Sequence, residues 1–185
     1  MRGRPDEPGL ILRATRALGM RLEGVPRGLA AVVCAAWMVL IWSLSSRSPV
    51  VIVEPKPWAS VLTNLAHAPE FGLLCLWLVL AGPRVGGHVD VSSIGRVRVL
   101  AGVLAYAIVD ELHQSYVPGR DASIFDIFTD LAGAWLVLRL VRDTIDSSSS
   151  SRALRNDFAA WFAVCILCAV LASFVPPAFP EITWL

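Results

Sequence analysis

The chain has 185 residues, of which 56% are hydrophobic and only 17% are charged, and its formal net charge is +1. With a mean hydropathy of +0.63 it is too apolar for an ordinary soluble domain, so we interpret it as an integral membrane protein. The low net charge and the lack of basic patches interleaved with aromatic residues argue against nucleic-acid binding.

The basic N-terminal segment, residues 1–27, contains six arginines. Within it, Ile11, Thr15, Leu18 and Leu22 repeat at helical spacing, which predicts a short helix that lies on an anionic membrane surface. A disordered basic tail fits this composition equally well.

Five apolar stretches are candidate membrane spans, because about 20 mainly apolar residues cross a hydrocarbon layer about 30 Å thick. They lie near residues 28–45, 65–82, 97–113, 123–141 and 158–175. The predicted fold is therefore an all-α, polytopic transmembrane helical bundle. Its regions are a basic cytoplasmic segment, a four-helix membrane core, a Ser-rich cytoplasmic linker, and a fifth helix with an outer tail, at residues 1–27, 28–141, 142–157 and 158–185.

Local signals place polar residues at the start of the second span. Asn64 is its predicted N-cap. Because proline is best tolerated near a helix N-terminus, Pro69 predicts that His67 and Glu70 lie in the first turns of this helix. These two residues are three apart, so they share a helix face.

A second set of polar residues surrounds the connection between the third and fourth spans. The Pro-Gly pair at 118–119 predicts a tight turn. Ser123 and Asp126 have the spacing of a capping box at the start of the fourth span, and Asp130 lies one turn further along the same face. Small residues at Gly102 and Gly133 would let the inner helices approach closely.

The basic residues predict the orientation in the membrane. The N-terminal segment has six, the connector at 83–98 has three and the linker at 139–157 has four, whereas the opposite side has only Arg47, Lys56 and Arg120. The positive-inside rule therefore predicts a cytoplasmic N-terminus and an outer C-terminus in the plasma membrane. With this orientation, the ionisable residues within the spans all lie in the outer half of the bilayer.

The four cysteines lie inside apolar runs rather than in loops, which argues against the disulfide framework of a small secreted domain. Cys165 and Cys168 form a CxxC motif, but no basic residue nearby favours a reactive thiolate. We interpret this motif as helix packing rather than as a redox site.

Two segments carry a family resemblance, NLAHAPEFGLL at 64–74 and DELHQSYVPGRDASIFDIFTDLAGA at 110–134, with LSSRSP at 44–49 as a weaker match. Together they resemble the VanZ-like family, small polytopic bacterial membrane proteins named after a component linked to teicoplanin resistance. The resemblance implies a role in the cell envelope and in glycopeptide tolerance. The residues that match the polar pattern of the family are His67, Glu70, Glu111, Gln114, Arg120, Ser123, Asp126, Asp130 and Gly133.

We expect these polar residues to form an outward-opening site, because clustered carboxylates within a membrane are too costly for a purely structural role to be their simplest explanation. The candidate catalytic residues are His67, Glu70, Glu111, Gln114, Asp126 and Asp130. The candidate ligand-binding residues are Asp110, His113, Arg120 and Ser123. No metal ligand set is assigned, although a carboxylate-rich site with one histidine would suit Mg²⁺ or Mn²⁺ better than zinc.

Two classes of function fit this site. In the first, it binds or acts on the head group of an envelope lipid or glycolipid, such as a lipid-linked precursor, or on a glycopeptide. The chain lacks an HExxH motif, a P-loop and a nucleophile elbow, so enzymatic activity stays open. In the second, the protein is a transporter or a proton or solute relay, or the residues form a structural charge network.

Overall fold

The structure is a computed structural model that describes residues 10–48, 57–120, 122–145 and 150–175. The loop around Pro55 and the tail that follows Val175 lie outside these ranges. The described chain forms a two-stranded hairpin and a set of helices. In chain order, the elements are α1 (Leu10–Glu23), α2 (Arg27–Ser45), α3 (Pro57–Ala81), β1 (Arg84–Val85), β2 (His88–Val89), α4 (Ser93–Gln114), α5 (Ile124–Ile145) and α6 (Ser151–Phe174).

Three of the described helices are long and apolar enough to cross a membrane. These segments are Arg27–Ser45, Trp58–Ala81 and Arg152–Phe174. Helices α4 and α5 contain 22 residues each, a comparable length, but both include several charged residues. The structure therefore confirms an all-α membrane protein, while five crossings and their orientation stay predictions.

Helices α3 and α5 form the centre of the bundle. Helix α3 contacts α2, α4, α5 and α6, and α5 contacts α1 as well as its bundle neighbours. The hydrophobic core between them includes the fully buried Phe71, Leu74 and Leu138.

The closest approach of α3 and α5 occurs at Gly133. A Cβ atom at this position would overlap the backbone carbonyl of Ala68, and one at Gly72 would meet a Val137 methyl at 3.2 Å. Gly102 makes no comparable contact, since a Cβ there would lie 3.7 Å from Leu78. The expectation of close helix packing therefore holds for Gly133 and not for Gly102.

Helix α3 begins much earlier than its sequence signals predict. It starts at Pro57, and Asn64 lies inside the helix, where its side chain donates to Ser173 Oγ of α6 at 3.0 Å. Pro69 lies in the helix interior, so His67 is near the middle of α3 rather than in its first turns. A proline removes a single helical donor, and the long apolar surface of this helix offsets that loss.

The connector after α3 contains a β-hairpin that the sequence analysis did not predict. Gly86 and Gly87, with φ of 59° and 88°, form its two-residue turn. A Gly-Gly pair between short strands is a recognised hairpin signal. Glu23 at the end of α1 accepts the Val89 N–H at 3.3 Å, so the hairpin is attached to α1.

The N-terminal segment is helical from Leu10, which removes the disordered-tail alternative for residues 10–23. Leu22 packs against the hydrophobic core, and Gly19 faces the side chain of Thr144 near the end of α5. Helix α1 therefore packs against the bundle itself.

The chain reverses between α4 and α5 as the Pro-Gly pair predicts. The Arg120 N–H donates to the Val117 carbonyl at 3.1 Å, and Gly119 has a φ of 77°. Helix α5 then extends to Ile145, beyond the predicted end near Val141, and α6 begins at Ser151 rather than near Phe158.

All four cysteines are free thiols, and the CxxC pair lies on α6 with Cys165 buried. The structure thus agrees with a packing role for this motif.

Candidate functional site

Most of the polar side chains predicted for the site are buried together where α3, α4 and α5 meet. The buried polar residues of this region are His67, Asp110, Glu111, Gln114, Ser123, Asp126, Thr129 and Asp130. We refer to His67, Asp110, Glu111, Asp126 and Asp130 as the acidic cluster. Its members come from the middle of α3, the last turns of α4 and the first turns of α5.

Asp110 connects α4 to the end of α2. Ser45 Oγ donates to its Oδ1 at 2.6 Å, and Gln114 Nε2, one turn along α4, donates to its Oδ2 at 2.8 Å. Both oxygens therefore have a partner, and the carboxylate is held in one orientation.

Glu111 connects α4 to the start of α5. Its Oε2 accepts the backbone N–H of Ser123 at 2.7 Å, whereas its Oε1 has no hydrogen-bond partner among the described residues. The predicted capping box is therefore incomplete: Ser123 Oγ does accept the Phe125 N–H at 3.2 Å, but the Ser123 N–H bonds to Glu111 instead of Asp126.

The two remaining carboxylates of the acidic cluster, Asp126 and Asp130, lie one turn apart on one face of α5. Asp130 Oδ1 is 3.3 Å from His67 Nδ1, which is ion-pair distance without hydrogen-bond geometry. Within the described chain, neither oxygen of Asp130 nor Oδ1 of Asp126 has a hydrogen-bond partner. Buried polar atoms are nearly always paired, so several unpaired oxygens in one place require an explanation.

A polar cavity of about 350 Å³ adjoins the acidic cluster, with His67 in its lining. Its lining comes from the ends of α2 and α4, the middle of α3 and the turn before α5: Leu44, Ser45, Arg47, Ser48, Thr63, Ala66, His67, Glu70, Gln114 and Arg120. Glu70, which the sequence analysis grouped with the carboxylates, lines this cavity.

Arg120 forms part of the cavity wall and also caps α2. Its Nη2 donates to the Leu44 carbonyl at 2.9 Å and its Nε to the Arg47 carbonyl at 3.2 Å. The Leu44 carbonyl also accepts the Arg47 N–H at 3.2 Å, and because α2 ends here, the positive charge of Arg120 is favourable at this helix C-terminus.

His113 lies apart from the cavity. Its ring stacks on Trp42 with centroids 3.7 Å apart, and its Nε2 is 2.8 Å from Ser46 Oγ. Its ring is thus directed toward α2, and His113 neither lines the cavity nor belongs to the acidic cluster. Ser123 does not line the cavity either, but its N–H bonds to Glu111 of the acidic cluster.

Among the cavity residues that the sequence patterns did not predict are Ser45, Arg47 and Thr63. Ser45 is the direct partner of Asp110, and all three line the cavity. For Ser45 and Arg47 the available signal is the polar run LSSRSP at the end of the first span, whereas Thr63 lies outside this run.

An apolar groove of about 650 Å³ adjoins the polar cavity. It lies between α3, α5 and α6, with Leu65, Gly133 and Phe162 in its walls. Ala66 lines both the groove and the cavity, so a polar and an apolar space lie on either side of this residue.

A family model described as VanZ/LLP1 matches residues 30–144. The chain belongs to the VanZ/LLP1 family. The match extends from α2 to α5 and includes every residue of the acidic cluster and of the cavity lining. The VanZ-like resemblance is thereby confirmed, and α1 and α6 lie outside the VanZ/LLP1 match.

Searches of curated proteins and of solved structures found no match to this VanZ/LLP1 chain.

Proposed function

We propose that this VanZ/LLP1 protein binds an envelope lipid, with the head group in the polar cavity and an acyl chain in the adjoining groove. The observation that carries the proposal is the shared wall at Ala66, where a polar cavity of about 350 Å³ meets an apolar groove of about 650 Å³. An amphipathic ligand fits such a pair of spaces, because each part of it meets a surface of matching polarity.

The cavity lining suits a head group that carries hydroxyl and phosphate groups. Glu70 and Gln114 offer acceptors for hydroxyl donors, while Arg47 and Arg120 supply positive charge for a phosphate. A sugar-phosphate head group of a lipid-linked envelope precursor has this chemistry. A role in glycopeptide tolerance, which the resemblance implies, would act through such an envelope ligand.

We further propose that the chain crosses the membrane five times and that the cavity opens to the outer side. The support is the distribution of charge between the two ends of the bundle. Arg27 donates to the Ala81 carbonyl, and Arg84 to the Val25 carbonyl, at the end opposite the acidic cluster. Helix α1 and the end of α5, which hold the described part of the basic N-terminal segment and the start of the linker, contact each other at that same end, which agrees with the positive-inside rule for a cytoplasmic face.

Lipid binding can be tested by filling the shared wall. Ala66 is exposed on α3, so Ala66→Trp adds bulk to the cavity and the groove without entering the protein core. We expect the variant to lose at least tenfold in affinity for a polyprenyl-linked sugar-phosphate lipid, measured by native mass spectrometry of detergent-solubilised protein.

The matched control is Ala105→Trp. Ala105 is also exposed, but it is on α4 and lines neither the cavity nor the groove. Its affinity for the lipid should equal that of the wild type. Equal lipid binding by wild type and Ala66→Trp, or no binding by the wild type, would refute the proposed function.

A further inference from the structure

The acidic cluster contains more buried carboxylates than the surrounding protein balances. Asp110, Glu111 and Asp130 have no exposed surface, and Asp126 is 3% exposed. His67 is the only basic side chain in the acidic cluster. Arg120 is not part of the cluster, and it directs two of its nitrogens to backbone carbonyls at the end of α2. Buried charges are normally paired with a counter-charge or coordinate a metal, because desolvation is otherwise too costly.

Three of these side chains converge on one point. His67, Asp110 and Glu111 each offer a ligand atom, and these atoms all lie within 4.8 Å of one another. Ligands of one ion at about 2.1–2.4 Å lie roughly 3–4.5 Å apart, so small side-chain rotations would complete the coordination. The convergence brings together α3 and α4, whose packing fixes the spacing.

The unpaired oxygens supply an independent indication of a ligand. Glu111 is fully buried, and its Oε1 has no hydrogen-bond partner in the described chain, while its Oε2 is bound by the Ser123 N–H. Asp126 and Asp130 add further oxygens without hydrogen bonds. From these observations we infer that His67, Asp110 and Glu111 bind a divalent cation of the Mg²⁺ or Mn²⁺ class between α3 and α4.

The neighbours of the three ligands are arranged to orient them. Ser45 and Gln114 hold the Asp110 carboxylate, and the Ser123 N–H fixes Glu111 so that its other oxygen is left for the ion. Such partners of metal ligands set ligand orientation and affinity. Each oxygen of Asp110 accepts one hydrogen bond and keeps a second lone pair for coordination.

The donor set decides the class of ion. Two carboxylates and one imidazole are hard or intermediate ligands, and no cysteine lies in the converging set. This set favours Mg²⁺ or Mn²⁺, with water completing an octahedron, over a thiolate-bound ion. His67 and Gln114 also line the polar cavity, which provides a path of entry and room for water ligands.

The cation site is inferred from the acidic cluster alone, but its consequence for ligand binding rests on the proposed function. A divalent cation at this site would offset part of the negative charge of the acidic cluster, which otherwise repels a phosphate group bound in the adjoining cavity. The experiment on the ion therefore uses protein in lipid-free detergent, so that it gives an answer even if the lipid proposal fails.

The test is an Mn²⁺ titration of the full-length, chelator-treated protein, followed by electron paramagnetic resonance. We expect saturable loss of the free Mn²⁺ signal with one ion bound per chain. Pulsed measurements on the bound ion should show coupling to an imidazole nitrogen, which His67 alone can supply within the acidic cluster. Excess Mg²⁺ should compete for the site.

Variants identify the ligands. Glu111→Gln and Asp110→Asn each remove a negative charge from the site and should weaken Mn²⁺ binding at least tenfold. Asp143→Asn is the matched control, because Asp143 is a buried carboxylate on α5 that pairs with Arg139 outside the acidic cluster. It should bind Mn²⁺ as tightly as the wild type.

Three results would overturn the inference. The first is no saturable binding by the wild type, and the second is binding without an imidazole nitrogen coupling. The third is that Asp143→Asn binds Mn²⁺ with the same affinity as Glu111→Gln and Asp110→Asn. If a cluster variant does not fold, the nitrogen coupling in the wild type still decides the outcome.

Discussion

Gly133 sets the distance between the two central helices by having no side chain. Its backbone faces the carbonyl of Ala68, and Gly72 on α3 extends the same contact. A close contact of this kind lets dispersion forces act along the backbones, which is a main source of helix association within a membrane.

We predict that Gly133→Ala lowers the free energy of unfolding by about 1–3 kcal/mol, because the added methyl overlaps the Ala68 carbonyl and forces α3 and α5 apart. Reversible unfolding in mixed detergent micelles measures this change. Gly102→Ala is the control: its Cβ would lie 3.7 Å from Leu78, so better helix propensity should leave stability unchanged or raised by up to about 1 kcal/mol. Equal destabilisation by both substitutions would contradict the role given to Gly133.

At the scale of whole elements, the C-terminus of α2 depends on a residue far along the chain. Arg120 donates to two carbonyls at that end, those of Leu44 and Arg47. Helix α2 is thereby attached to the turn that joins α4 to α5, and this turn forms one wall of the polar cavity.

We predict that Arg120→Gln lowers the free energy of unfolding by about 1–3 kcal/mol, because the carbonyls at the end of α2 lose a charged donor. Arg120→Lys should recover part of this loss, since an ammonium keeps the charge but lacks the planar geometry of a guanidinium. The same unfolding assay measures both variants. Arg47→Gln is the control, because Arg47 contributes its backbone carbonyl to this contact; a loss as large as that of Arg120→Gln would argue against capping.

The sequence predicted some elements well and others poorly, for physical reasons. The bounds of α2 follow directly from an uninterrupted apolar run between polar flanks. Helix α3 was placed too late because Pro69 is a local signal, whereas the cost of an interior proline is balanced by packing along the entire helix. The hairpin at Gly86 was missed, although its turn residues were visible in the sequence.

The same contrast applies to the site. The gathering of Asp110, Glu111, Asp126 and Asp130 could be expected, because charged residues on membrane helices turn toward one another. The spacing of these residues in the sequence does not indicate which group each carboxylate accepts a hydrogen bond from. The Ser123 N–H bonds to Glu111 on a different helix, and a pattern along α5 alone indicates only Asp126.

For the molecule as a whole, the orientation of the bundle is the property that determines what the cavity can meet. We predict that alkaline phosphatase fused after Leu185 is active, and that the same reporter fused after Gly87 in the hairpin is inactive, because this enzyme folds only outside the cytoplasm. Activity of cells that carry each fusion is the measurement. Green fluorescent protein at the same positions should give the opposite pattern, and the reverse result for both reporters would place the cavity on the cytoplasmic side.

Asp110 and Glu111 are consecutive, so their side chains leave α4 about 100° apart around its axis. One is held by Ser45 of α2 and the other by the N–H of Ser123 before α5. Both carboxylates are at hydrogen-bond distance from their partners, so a rotation of α4 about its own axis would lengthen at least one of the two bonds. The end of α2 and the residue before α5 together therefore fix the rotational setting of α4 about its own axis.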